Sequence, residues 1–283
     1  MTPSYNQGPF LEATIESVLS QNYPELEYFV IDGNSTDDSV SIIKRYSDRL
    51  SDWVSEPDRG QSHAINKGFA RATGEILGWL NSDDRLEPGA LMAVAEEARR
   101  LPEVGAFVGE GQIVDAAGKV VYYKRPGDLS FDGMCRWLEG GDFMQPSCFF
   151  RRTAWEACGP LDETIHIALD VDLWLRMARA VRFSGMDRLL STSLRHKDAK
   201  TEAYRDEMVA DAITVIIRAG GQAAIRRRLV DMVRAASRDE RRRQRTRPLR
   251  AVLRRGLRLF GAGSDTAPAA RFRAAIPHER LTR

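Results

Sequence analysis

Two short apolar runs, residues 26–31 and 75–80, each stop at carboxylates: Asp32 after the first, and the step Asn81-Ser82-Asp83-Asp84 after the second. Helical periodicity fills the chain around them. Phe10, Leu11, Ile15, Val18 and Leu19 repeat at helical spacing before the first run, and Val40, Ile42 and Ile43 mark a helix over 37–46 after it. A short strand at 53–55 and a helix over 61–72 complete the interval. Strands this apolar need cover on both faces, and helices that return the chain supply it. The pattern therefore predicts an α/β fold with a mainly parallel central sheet flanked by helices. In such sheets functional groups collect beyond the carboxyl ends of the strands, which lets Asp32 and Asp83-Asp84 face one cleft.

The second half is less regular. A helix is predicted over 87–101, with Pro88 at an early position where its missing N–H costs little. Apolar segments 104–108 and 119–123 flank the turn Asp115-Ala116-Ala117-Gly118, residues 147–150 read as a strand, and 171–180 as a helix. At 283 residues the chain is about as long as one continuous core allows, so one large domain over 1–221 with a C-terminal appendage is expected. Charge marks the same division. Residues 1–225 hold 24 Lys and Arg against 35 Asp and Glu, whereas 226–258 hold 14 Arg against 3 acidic residues. Residues 222–260 read as an Arg-rich amphipathic helical appendage and 261–283 as a flexible tail. Cys135, Cys148 and Cys158 lack short metal-ligand spacing, and an odd count closes no disulfide framework, so reducing cytosol is the expected setting. No segment approaches the length of a bilayer crossing.

The acidic step has the chemistry of a divalent-cation site. Asp83 and Asp84 offer oxygen ligands for Mg²⁺ or Mn²⁺, with water and phosphate oxygens completing the shell; a solvated turn or helix cap is the plainer alternative. The Asp32 carboxylate can accept from a base imide or a ribose hydroxyl, or form an Asx turn over Asp32-Gly33-Asn34-Ser35. In Glu56-Pro57-Asp58-Arg59-Gly60-Gln61-Ser62, Arg59 is a phosphate contact or a surface ion pair, and the helix that follows presents its N-terminus to an anion. Lys67 borders the same pocket or a solvated helix face. Asp170 and Asp172 open the 171–180 segment, where one carboxylate can remove a proton from an acceptor hydroxyl while the other fixes Arg176 or caps the helix. Among the histidines, His196 is the best phosphate or metal neighbour and His166 a candidate border of the acceptor site. His63 reads as structural and His278 as uninvolved.

Taken in order, several blocks resemble the inverting glycosyltransferases of family 2, which have the GT-A fold. They are Thr2-Pro3-Ser4-Tyr5-Asn6-Gln7, Tyr23-Pro24, the run from Val30 to Asp37, the run from Ser55 to Gly68, and Ala72 to Asp84. Gln145-Pro146-Ser147 and Asp170-Val171-Asp172-Leu173-Trp174-Leu175-Arg176 follow. The resemblance covers most of residues 2–201. It implies a GT-A-like domain over 1–221, in which 1–101 mainly binds nucleotide and 102–221 mainly binds the acceptor and closes the site. Pro3, Tyr5 and Asp32 would surround base and ribose, with Arg59, Ser62, Lys67 and Asp83 also on the donor. Asp84 and His196 would hold the metal, and Asp170 would be the catalytic base. His166, Asp172, Trp174 and Arg176 would border or support the acceptor site. Two positions depart from the pattern: Leu169 stands where an acidic residue usually precedes the base, and Met1 directly precedes Thr2 where the family carries an apolar first strand.

The implied reaction is metal-dependent, with Mn²⁺ or Mg²⁺, and moves a sugar from a UDP- or dTDP-sugar to a hydroxyl of a glycan, a lipid-linked acceptor or a protein. Bacterial surface polysaccharide or glycoconjugate synthesis is the implied setting. A nucleotidyltransferase and an inactive sugar-nucleotide or glycan-binding module are the alternatives. The basic appendage fits an anionic membrane surface, such as the inner face of the plasma membrane, better than a homo-oligomer contact, and nucleic acid least, since no aromatic-rich recognition motif accompanies its charge.

Overall fold

The computed structural model describes residues 1–196, 199, 204–235 and 238. The first hundred residues alternate as the sequence predicts: β1 (Thr2–Ser4), α1 (Gly8–Leu19), β2 (Phe29–Asp32), α2 (Ser39–Arg45), β3 (Asp52–Ser55) and α3 (Gln61–Arg71). The three strands form a parallel sheet in the order β1-β2-β3. Its register sets Ser4, Asp32 and Ser55 abreast at the carboxyl ends.

The α/β class stands, but the expectation of a mainly parallel sheet is corrected in the second half. There β4 (Ile76–Leu77), β5 (Asp84–Leu86), β6 (Ala106–Val114), β7 (Val120–Lys124), β8 (Cys148–Arg151) and β9 (Phe183–Leu194) form a mixed sheet. Its order is β4-β8-β6-β9-β5, with β7 also on β6. Only β6 and β9 run parallel; the other pairs are antiparallel. A parallel neighbour needs a long crossover, whereas the turn at 115–118 returns the chain at once as a hairpin.

Two element boundaries also move. The strand predicted over 75–80 ends at Leu77. A Cβ at Gly78 would stand 2.7 Å from the Phe149 ring, and the backbone beyond it is taken up by Met1, which receives a bond from Leu80 N at 3.0 Å. The helix predicted over 87–101 starts at Ala90 as α4 (Ala90–Arg100), because Gly89 at φ 78 turns the chain just before it and leaves Pro88 outside.

The main core lies between the mixed sheet and the helices α5 (Phe131–Met134), α6 (Arg152–Cys158) and α7 (Leu169–Ala180). At its centre Trp174 of α7 stacks on Trp79 at 5.3 Å and 13°, with Phe143 and Phe150 around the pair. Trp79 lies just before the acidic step, so this stack is the step's foundation. Residues Met1–Leu229 form one compact unit, which runs past the predicted boundary at 221, and a second unit begins at Val230. Residues 222–235 are helical. The remainder of the predicted appendage and the tail over 261–283 lie outside the described residues apart from 238.

Candidate active site

The carboxyl ends of the parallel sheet build one wall. Asp32 is fully buried, and its Oδ2 accepts from Ser55 Oγ at 2.7 Å and Ser35 N at 2.9 Å while Ser35 Oγ donates to Oδ1. Its carboxylate thus shapes the turn over 32–35, with every oxygen engaged. The open surface in front of it belongs to Tyr5, 61% exposed, and to Asp58. A Cβ at Gly33 would stand 2.6 Å from Asp58 Oδ2 and 3.3 Å from the Tyr5 ring, so glycine is what allows this close approach. Pro3 is buried within β1. Asp58 had no role in the sequence reading, although it lies in the Glu56–Ser62 turn singled out there.

Three predicted donor contacts are occupied by protein groups. Arg59 pairs with Glu163 at 2.7 Å, Lys67 with Glu56 at 2.7 Å, and Ser62 Oγ approaches Ile165 O at 3.4 Å. The Arg59 side chain is mostly exposed, and ion pairs of that kind contribute about 0–1 kcal/mol, so it exchanges partners easily. Ser62 is buried and ties the start of α3 to the loop that carries His166, itself exposed.

The acidic step is a tight turn into β5, closed by Asp84 N donating to Asn81 O at 3.0 Å. Asp84 is only 5% exposed. Its carboxylate accepts from Asn81 Nδ2 at 3.2 Å and from Ser193, its cross-strand partner on β9. Burial first and the neighbouring Asp83 charge second push its pKa up to about 8, against the opposing effect of those two hydrogen bonds. Asp83 is more open, and its Oδ2 lies 3.0 Å from His196 Nε2. The His196 ring packs on Phe10 at 4.3 Å, and its Nδ1 is buried without a partner among the described residues. The structure therefore divides the predicted ligand pair: His196 meets Asp83, and Asp84 lies behind them in β5.

These residues fit a divalent cation as a partial shell. No group of three or more His, Cys, Asp or Glu side chains among the described residues could hold an ion alone. Two adjacent carboxylates with neutral hydrogen-bond partners on the buried one nevertheless make a site that a cation would neutralise, with water and phosphate oxygens as further ligands.

The remaining predicted carboxylates stand at the start of α7. Asp170 and Asp172 both lie in its first turn, where acidic groups suit the helix dipole. Asp172 Oδ2 accepts from Arg176 Nε and pairs with Nη2, both at 2.9 Å, so Asp172 fixes Arg176 as one of the sequence alternatives proposed. Asp170 stays half-buried, and its charge adds to the burial that raises the thiol pKa of Cys148 at the start of β8. Trp174, at 0% exposure, is core, so of the two predicted roles a direct border on the acceptor does not fit, whereas support from behind does. The sequence reading also missed the amides that join α3, the acidic step and the residues at 145–147. Gln61 Nε2 donates to Asn81 Oδ1 at 2.8 Å, Asn81 Nδ2 to Gln145 Oε1 at 3.2 Å, and Gln145 Nε2 to Trp79 O at 2.9 Å.

A parallel sheet with Asp32 at its carboxyl edge, the acidic step leading into β5 and Asp170 in the first turn of α7 occur together in one compact unit. The family model for glycosyl transferase family 2 matches residues 1–158, and the chain belongs to that family. It resembles chondroitin synthase of Escherichia coli, 24% identical over 203 residues, which are 69% of this chain and 28% of that protein. In structure it matches Staphylococcus aureus TarS 1-349 in complex with UDP at a TM-score of 0.60 and 16% identity, covering 77% of this chain and 64% of that one. It also matches the mannosyltransferase PcManGT from Pyrobaculum calidifontis in complex with GDP-Man and Mn²⁺, at 0.58 and 24% identity, covering 77% and 63%. The fold is GT-A. The chain spans from 20% to 57% of the length of the curated relatives it matches.

Proposed function

We propose that this protein is a metal-dependent inverting glycosyltransferase that moves a sugar from a UDP- or dTDP-sugar to a hydroxyl acceptor in surface polysaccharide or glycoconjugate synthesis. The observation that carries the reading is the Asp83–Asp84 step, with His196 on its outer carboxylate, in a fold that also carries Asp170 at the start of α7. Tyr5 and Asp58 front the base side, over the turn that Asp32 shapes. Asp83 and His196 would hold Mn²⁺ or Mg²⁺, with Asp84 behind them. Bound there, the cation would neutralise charge on the departing diphosphate. Arg59, released from Glu163, supplies a further phosphate contact.

Asp170 takes the proton of the acceptor hydroxyl. The oxygen forms its bond to the anomeric carbon from the face opposite the diphosphate, whose bond breaks with the electron pair leaving on phosphate oxygen. One displacement inverts the anomeric configuration, by the geometry that also governs inverting hydrolysis. Replacing Asp83 with Ala is expected to raise the Mn²⁺ concentration for half-maximal donor binding by about 20-fold, the scale of losing one charged ligand. Calorimetric titration of UDP at several Mn²⁺ concentrations measures this, and an unchanged Mn²⁺ requirement sinks the assignment.

The Arg-rich segment extends the reading to location: a cytoplasmic protein held on anionic lipid near a lipid-linked acceptor. Among the described residues no helix is long and apolar enough to cross a membrane. The full chain is expected to float with vesicles containing phosphatidylglycerol and to remain at the bottom of the gradient with neutral vesicles. Equal behaviour with both would remove the membrane from the proposal.

A further inference from the structure

Asn81 is matched to its surroundings atom for atom. Its Oδ1 accepts from Gln61 Nε2 at 2.8 Å, and its Nδ2 faces Asp84 Oδ2 and Gln145 Oε1, each at 3.2 Å. Two amide hydrogens thus meet two acceptors, and one carbonyl oxygen meets one donor. Gln145 cannot reverse its amide without cost, because its Nε2 already donates to Trp79 O at 2.9 Å. A carboxylate at position 81 would lose both donated bonds and put a third negative charge beside Asp83 and Asp84.

The partners come from separate parts of the fold. Gln61 begins α3, which follows the Glu56–Gly60 turn on the donor side. Asp84 begins β5. Gln145 starts the short 3₁₀ turn Gln145–Ser147 that leads into β8, where Cys148 feels the charge of Asp170. Ser147 carries the connection further, since its hydroxyl lies 2.6 Å from that of Ser191 on β9 and donates to Glu110 O at 2.8 Å.

We propose that Asn81 and Gln145 are positioning residues that lock the acidic step in register with the start of α3 and with the Gln145–Ser147 turn. Neither touches the reacting atoms. Their carboxamides set the angle at which the Asp83–Asp84 turn meets the Gln145–Ser147 turn that leads into β8. The inference rests on the proposed transferase reading and deepens it.

The test compares Asn81→Ala, Gln145→Ala and the double variant in the full-length protein. It measures kcat and donor KM, Mn²⁺ affinity by loss of the free-ion electron paramagnetic resonance signal in the presence of UDP, and thermal unfolding. Each single variant is expected to lose about tenfold in kcat and to bind Mn²⁺ about fivefold more weakly, on the scale of one to two lost hydrogen bonds. The double variant is expected to match the worse single one, because residues acting as one unit are not additive. Both single variants within twofold of the wild type in kcat and Mn²⁺ affinity would overturn the proposal, as would a double variant whose loss is the product of the two. A drop in thermal stability with kcat and Mn²⁺ affinity intact would reduce the network to scaffolding. Where an alanine variant does not fold, Gln145→Leu keeps the side chain's bulk and is judged by the same limits. Failure of the transferase reading is separable: the wild-type protein would then show no transfer, while the Mn²⁺ titration would still report on the amides.

Discussion

Replacing Asp170 with Asn lowers sugar transfer by about a thousandfold, the scale of losing a positioned general base, and leaves UDP affinity within about twofold. The substitution keeps the size of the side chain while removing its charge and its capacity to take a proton. Asp170 opens α7, whereas the base-side turn is held by Asp32, Ser35 and Ser55 on other elements, so donor binding is expected to change little. Release of nucleoside diphosphate under saturating donor measures the first quantity, and calorimetric titration of UDP the second. A folded variant with near-normal turnover would move the base elsewhere. The neighbouring Asp172 is the natural control, because its carboxylate is committed to Arg176.

The second large effect concerns stability. Asp84→Asn is expected to make the metal-free protein more stable by roughly 2–4 kcal/mol at neutral pH while weakening its use of Mn²⁺. The folded-state pKa of Asp84 is raised to about 8 by burial and by Asp83, so the folded protein holds this proton more tightly than the unfolded chain does. Between the unfolded carboxyl pKa, about 4, and about 8, folding takes up a proton, and stability falls as pH rises. Below that window the penalty is absent; above it the penalty is complete. Urea unfolding of the wild type in chelator should therefore lose stability from pH 5 to pH 8, and the Asn variant should show a shallower slope. Added Mn²⁺ should stabilise the wild type more than the variant. Parallel pH profiles for the two proteins would show that Asp84 is not the source of the slope.

The parts of this molecule that were legible in the sequence are those where one segment carries its own instruction. Helices α1, α2, α3 and α7 announce themselves through periodic apolar residues, and β2 through a continuous apolar run, so their positions were predicted to within a few residues. The acidic step was legible because it follows such a run. What stayed hidden depends on partners distant in the chain. Nothing local says that the 75–80 strand stops at Leu77, since the Phe149 ring that crowds Gly78 and the Met1 backbone that takes Leu80 N come from elsewhere. Trp174 belongs to an apolar helical run, but that it stacks on Trp79 rather than on a ligand depends on a residue 95 positions earlier. For Arg59, Lys67 and Ser62 the protein partners Glu163, Glu56 and Ile165 could not be read from spacing. Gln61, Asn81 and Gln145 stand in segments the sequence singles out, but a carboxamide carries no charge or periodicity that would assign it a role or a partner.

The pairing of β5 with β9 also dictates an order of assembly. Thr192 Oγ1 on β9 donates to Glu87 Oε1 just beyond β5, across a separation of 105 residues, and Ser193 pairs with Asp84 in the adjacent register. Contacts that close so long a loop come late in folding, because chain entropy must be given up before they form. A polypeptide emerging from the ribosome can complete the parallel β1-β2-β3 sheet long before residue 193 is synthesised. Until then Asp84 has no β9 above it and keeps the behaviour of a solvated carboxylate. Enclosing that carboxyl, with uptake of a proton below about pH 8, is therefore among the last events of folding, and the barrier to this step should rise with pH.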